Sequence, residues 1–211
     1  HATGFFFIHK EQPFLITNRH VIEDDYPGGE LLDEIRIFTR SGNNVDEITH
    51  HTINLIEDGE EVWLTHPQET WLKQYPDEFE IDLVAIPLDD RSTDGDLNII
   101  SLTELQSFSD NFSSAEEMSQ SLDTGSLAFT SDDLRPDEIY IRFGQDVLIS
   151  GYPFRGRNPY YPLVRNAIIS SPYGPYNRYL NKNLAGFVTD ANMHSGTSGS
   201  PVIVNQQFDS V

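Results

Sequence analysis

Short apolar runs recur along this chain, each closed by Gly, Pro, Asn or Asp. They occupy residues 4–8, 14–16, 34–39, 61–64, 83–88, 147–150, 167–170, 187–188 and 201–204. Val, Ile and Phe dominate them, and such residues suit a pleated, half-buried surface. Runs this short and this regularly interrupted predict strands, so the pattern predicts an all-β barrel or sandwich. Helix signals are few, at 69–74, 102–110 and 115–122. Residues 89–137 are rich in Ser, Asp, Glu and Thr and read as a surface linker with partial helix, partly disordered.

Composition narrows the class. With 211 residues, 37% apolar and 11% aromatic, the chain can bury a core as one large domain or two small barrels. No run of about eighteen apolar residues is present, which argues against a membrane-spanning helix. Nor does the sequence show a basic, apolar leader of the signal-peptide kind, and the expectation is a soluble chain. The absence of cysteine excludes disulfides, thiol nucleophiles and cysteine-based zinc sites. The net charge is -21. Residues 141–211 hold six Arg/Lys against three Asp, a balance of +3, which leaves -24 to residues 1–140. So acidic a chain disfavours nucleic acid as a partner, because phosphate must be met by Lys and Arg. Solubility accounts for the acidity, and attraction of basic peptides is the sharper alternative.

The candidate chemistry starts at Gly196-Thr197-Ser198-Gly199-Ser200-Pro201. A hydroxyl is a weak nucleophile and needs a built setting. Glycine two residues before Ser198 lets the backbone bend so that the Gly196 and Ser198 N–H groups converge on one point, as an oxyanion hole requires. A plain turn before the strand at 201–204 would read the same way in isolation. Two other segments add what the serine would need. His20 closes the apolar run Phe14–Val21, and Asp82 lies inside the apolar run Phe79–Leu88. A base must take the serine proton, and a carboxylate must fix the tautomer of that base. The chain order is His20, Asp82, Ser198, whereas other hydrolase folds place their triads in other orders.

The sequence resembles the chymotrypsin-like, trypsin-like serine proteases of the PA clan, and in motif style the bacterial HtrA-type peptidases. Thr3-Gly4-Phe5-Phe6 is similar to their "GTGF" strand, Leu15 to Val21 to "LLTNxHV", and Asp82-Leu83-Val84-Ala85 to "DLAxL". Val147 to Pro153 resembles the strand that opens the second barrel, and Thr189-Asp190-Ala191 through Val202 resembles the serine segment. These anchors run from residue 3 to residue 202. Two departures stand out. Thr197 replaces the Asp or Asn that usually precedes the serine, so activation by a new N-terminal amine is not expected. Ser200 replaces a second glycine, a change of one small residue for another.

The resemblance implies two six-stranded-type antiparallel β-barrels. The first would span residues 1–105 and carry His20 and Asp82. An acidic interbarrel linker would follow at 106–140, then a second barrel at 141–211 carrying Ser198. Because only thirteen residues follow Ser198, that second barrel is expected to be incomplete at its C-terminus. The implied activity is a serine endopeptidase acting on peptide or protein substrates through an acyl-enzyme, with no cofactor, no metal and no PDZ domain. A pseudo-protease that binds peptides without cleaving them is the alternative, and an esterase using the same groups is a third reading. Asn192, six residues before the serine, is implied at the base of the first specificity pocket, and being neutral it does not call for Arg or Lys. His194 is a candidate for lining the cleft. Tyr160, Tyr161, Tyr173, Tyr176 and Tyr179 are read as cover for the barrel edge. His50 and His51 invite a metal reading with Asp46, Glu47 and His66. Adjacent strand residues point to opposite faces, however, which makes the pair a poor chelate.

Overall fold

The computed structural model describes residues 1–24, 29–40, 48–65, 79–80, 82–88, 97, 99–101, 126–131, 142–153, 162–172, 174–178 and 182–204. Fifteen strands are formed there. The first half holds β1 (Phe5–His9), β2 (Gln12–Thr17), β3 (Glu34–Arg40), β4 (Ile48–Asn54), β5 (Ile56–Glu57), β6 (Glu60–Glu61), β7 (Phe79–Glu80) and β8 (Val84–Pro87). The remainder holds β9 (Ile99–Ser101), β10 (Ser126–Thr130), β11 (Asp146–Gly151), β12 (Leu163–Ile168), β13 (Gly174–Arg178), β14 (Lys182–Gly186) and β15 (Val202–Val204). The single helical element among the described residues is a 3-10 turn at Arg19–Val21. The all-β expectation therefore holds. The three helix candidates lie outside the described residues.

Strands β8, β2, β1, β10 and β9 form one five-stranded sheet in that order. Its starting unit is the β1–β2 hairpin, closed by Lys10 and Glu11, both at positive φ of 48° and 69°. Two left-handed residues in a two-residue loop match the twist of the flanking strands. The same device closes β5 on β6 at Asp58-Gly59, where φ is 51° and 83°. Not every pair is antiparallel, as a double antiparallel barrel had suggested. Strands β1 and β10, β10 and β9, and β14 and β7 run parallel. Parallel neighbours cannot be joined by a tight hairpin, and residues 102–125 separate β9 from β10 along the chain. The acidic segment read as a linker thus contributes two strands, β9 and β10, to the first-half sheet.

Two apolar cores form. Leu15, Ile22, Ile53, Leu55, Val84, Ile86 and Leu88 build the first, with Phe6, Ile35, Ile37, Trp63 and Ile99 packed against it. Val147, Ile149, Ala167 and Ile169 build the second, flanked by Phe187, Ala191 and Val204. Each core follows the alternation of its strands. In β11 the residues Val147, Ile149 and Gly151 are buried while Asp146, Leu148 and Ser150 are half-buried. Strand β4 was missed in the sequence because it reads Ile-Thr-His-His-Thr-Ile-Asn. Its His51 is buried and bonds to the Thr39 hydroxyl at 3.2 Å, whereas His50 faces out against Phe38. The two imidazoles therefore sit on opposite faces of the sheet, and Asp46, Glu47 and His66 lie outside the described residues. So do Tyr160, Tyr161, Tyr173 and Tyr179, and with them the tyrosine cluster. Residues 187–188 are not a strand. Strand β14 ends at Gly186, and Thr189 makes an isolated bridge to Ile169. Among the described residues, no helix is long and apolar enough to cross a membrane.

Candidate active site

The His20 segment is shaped by an anchor and a turn. Strand β2 ends at Thr17, and the chain then tightens so that the Val21 N–H bonds to the Asn18 carbonyl and the Ile22 N–H to the Arg19 carbonyl. Ile22 is fully buried in the first core and pins this turn, which leaves His20 facing outward. Arg19 pairs with the buried Glu23 at 2.9 Å and lies over the Trp63 ring.

Asp82 enters from the start of β8, whose Val84 and Ile86 are buried in the same core. Its carboxylate takes hold of His20 twice. Oδ1 accepts the His20 backbone N–H at 3.0 Å, and Oδ2 meets the ring Nδ1 at 2.7 Å. The first bond fixes the carboxylate to the chain, and the second assigns the ring proton. With Nδ1–H donating to Asp82, the lone pair of a neutral ring lies on Nε2. The Asp82 side chain is 14% exposed and that of His20 36%, so the carboxylate sits behind the imidazole, with the ring toward solvent.

The Ser198 segment is two consecutive turns. The Thr197 N–H bonds to the His194 carbonyl, and the Ser200 N–H bonds to the Thr197 carbonyl. Gly196 and Gly199 hold φ of +100° and +82°, which only glycine adopts at little cost. A Cβ on Gly196 would lie 2.7 Å from the Tyr152 carbonyl, and one on Gly199 would overlap the Thr3 carbonyl and the Thr17 hydroxyl. Thr197 is buried, and its hydroxyl donates to the His194 carbonyl at 2.7 Å. Threonine therefore holds the turn from inside without an ion pair. Neither the Gly196 nor the Ser198 N–H donates to another described residue.

The structure brings His20 and Asp82 into direct contact and ties the serine turn to their segments. The Asn18 amide bridges the Gly199 N–H and the Asp82 carbonyl. Thr3 donates its N–H to the Ser198 carbonyl at 2.7 Å. Sequence reading overlooked both residues, although each stands inside a segment singled out for other reasons. Asn192 is exposed, and its carbonyl accepts a hydrogen bond from Arg165 of β12. His194 is exposed and lends its carbonyl to Thr197. Between them and the strand, Asp190 bonds through Oδ1 to the Ile168 N–H at 2.7 Å, which lays residues 188–190 along the end of β12.

Ser200 fits the serine turn poorly. Its hydroxyl is buried without a partner and presses on Gly151, where a Cβ would overlap it. An unpaired buried hydroxyl opposes folding, so Ser200→Ala is expected to raise stability by about 1 kcal/mol. Urea unfolding of both proteins measures this, and a loss of about 1 kcal/mol or more would mean that the hydroxyl has a partner.

A family model described as a trypsin-like peptidase domain matches residues 2–209. No curated protein matches the chain. Among solved structures, the MamO protease domain from Magnetospirillum magneticum in its apo form is similar, with 15% identity and a TM-score of 0.48. The match covers 92% of this chain and spans 66% of the length of that one.

Proposed function

Because the chain belongs to the trypsin-like peptidase family, we propose that it is a serine endopeptidase using His20, Asp82 and Ser198. The observation that carries this reading is the double grip of Asp82 on His20, at 3.0 Å on the backbone and 2.7 Å on the ring. A carboxylate that merely balanced charge would not need both oxygens on one residue. Here it orients the imidazole and selects the tautomer that a general base requires.

In the proposed reaction, Nε2 of His20 takes the Ser198 proton as the hydroxyl oxygen attacks a peptide carbonyl. The carbonyl oxygen gains the negative charge, and the Gly196 and Ser198 N–H groups receive it. Such donors typically contribute about 3 kcal/mol each. His20 then passes its proton to the leaving amine, and water attacks the acyl-enzyme by the same route in reverse. Asp82 stays ionised throughout and stabilises the imidazolium. The chemistry needs no cofactor. Residues 1–105 would supply the base and its carboxylate and residues 141–211 the nucleophile, while the segment between them lends β10 to the first sheet. Asn192 and His194 would face the substrate.

The test is hydrolysis of peptides and of small esters by the purified chain as a function of pH. Peptide cleavage is expected to be lost in acid, since an imidazolium cannot accept another proton. A rate that does not fall on acidification of the folded protein would exclude a single histidine base. Ester cleavage without peptide cleavage would assign the site to an esterase, and binding without cleavage to a pseudo-protease.

A further inference from the structure

The peptide bond between Ser198 and Gly199 is held at both ends. A trans peptide directs its carbonyl and its N–H to opposite sides of one plane. The Ser198 carbonyl accepts the Thr3 N–H at 2.7 Å. On the other side, the Gly199 N–H donates to Oδ1 of Asn18. Rotation of this plane would break one bond or the other, so the backbone leaving Ser198 is fixed. Thr3 is itself immobilised, being buried and bonded through every polar atom. Its hydroxyl donates to the Gly196 carbonyl at 2.8 Å and accepts the Tyr152 N–H at 3.0 Å, while its carbonyl accepts the Thr17 hydroxyl at 2.8 Å.

The other end of the Asn18 amide donates from Nδ2 to the Asp82 carbonyl. One side chain, two residues before His20, therefore touches the serine turn and the aspartate strand. We propose that Asn18 is a positioning residue that sets the Ser198 turn against the His20–Asp82 pair, with Thr3 as the opposing jaw. The activity readout of this proposal rests on the peptidase reading above, and its exchange readout rests on hydrogen-bond geometry alone. The chemistry singles out asparagine. The atom facing the Gly199 N–H must accept and the atom facing the Asp82 carbonyl must donate. Aspartate keeps the acceptor, loses the donor and sets oxygen against oxygen. Leucine has the same shape and makes neither bond.

Asn18→Leu and Asn18→Asp test this, with kcat and KM measured per folded molecule and amide hydrogen exchange followed at Gly199. In Asn18→Leu, kcat is expected to fall about 100-fold with KM within about two-fold, the effect of a small misplacement of reacting groups. Gly199 should exchange about 100-fold faster, while the amides of Ile86 and Ile149 keep their protection. Asn18→Asp should keep Gly199 protected and still lose part of kcat, because only the Asp82 tie is broken. A merely structural role would lower stability without moving kcat per folded molecule. Parent-like kcat in Asn18→Leu, or a Gly199 amide that exchanges as fast in the parent as in the variant, would overturn the proposal. A parent that cleaves nothing would overturn the peptidase reading instead, and Gly199 exchange would still decide the clamp. If Asn18→Leu does not fold, protection of Gly199 in the parent and in Asn18→Asp decides it.

Discussion

Ser198→Ala is expected to lower kcat for peptide hydrolysis by about 10⁶-fold while leaving the fold intact. The variant removes one oxygen, and that oxygen is the proposed nucleophile. None of the contacts that hold the turn uses it. The Ser198 carbonyl is bound by Thr3, the Gly199 N–H by Asn18, and the flanking turns close through Thr197 and Ser200 backbone groups. Circular dichroism and urea midpoint should therefore match the parent. His20→Ala combined with Ser198→Ala should lose little more than either alone, since base and nucleophile act as a unit. Cleavage by Ser198→Ala at the parent rate would assign the chemistry to another group.

Asp82→Asn is expected to lower kcat by about 10⁴-fold with a smaller change in KM. The carboxylate accepts two hydrogen bonds from His20, one from the backbone N–H and one from the ring. An amide has a single oxygen. If it keeps the backbone bond, its NH₂ faces Nδ1 and donates there, which moves the ring proton to Nε2. The ring nitrogen facing away from residue 82 then carries a proton where the reaction needs a lone pair. The imidazolium also loses its counter-charge. Steady-state kinetics on one peptide measures the effect, and a loss under about ten-fold would mean that Asp82 only supports the turn.

The all-β class and the candidate segments were legible in the sequence, whereas the pairing of several strands was not. His20 and Asp82 could be picked out because each is polar in an apolar run, and Ser198 because glycines surround it. Those signals are local, as is the turn at Gly196 and Gly199, where backbone conformation selects residue type. Strands β4, β9 and β10 were not legible. Strand β4 carries Thr and His at positions that read as polar loop, and its burial depends on pairing with β3 along seven residues. Strands β9 and β10 sit within an acidic, serine-rich stretch; β10 forms by parallel pairing on β1, more than a hundred residues away in the chain, and β9 by parallel pairing on β10. The roles of Thr3 and Asn18 were hidden for the same reason. Each lies in a visible motif, yet its partners are 193 and 181 positions distant. Thr197 could be read only as the loss of an aspartate, and the structure adds the bond to His194 that takes its place.

The central claim is that Ser198 is a nucleophile activated by His20. Treatment with a fluorophosphonate tests it most directly, because an activated hydroxyl displaces fluoride from phosphorus and keeps the phosphonyl group. Peptide mapping by mass spectrometry then locates the adduct. The account predicts rapid, stoichiometric labelling of the peptide carrying Ser198, slowed by orders of magnitude in His20→Ala and absent in Ser198→Ala. Labelling at another residue, or none in a folded parent, would contradict it.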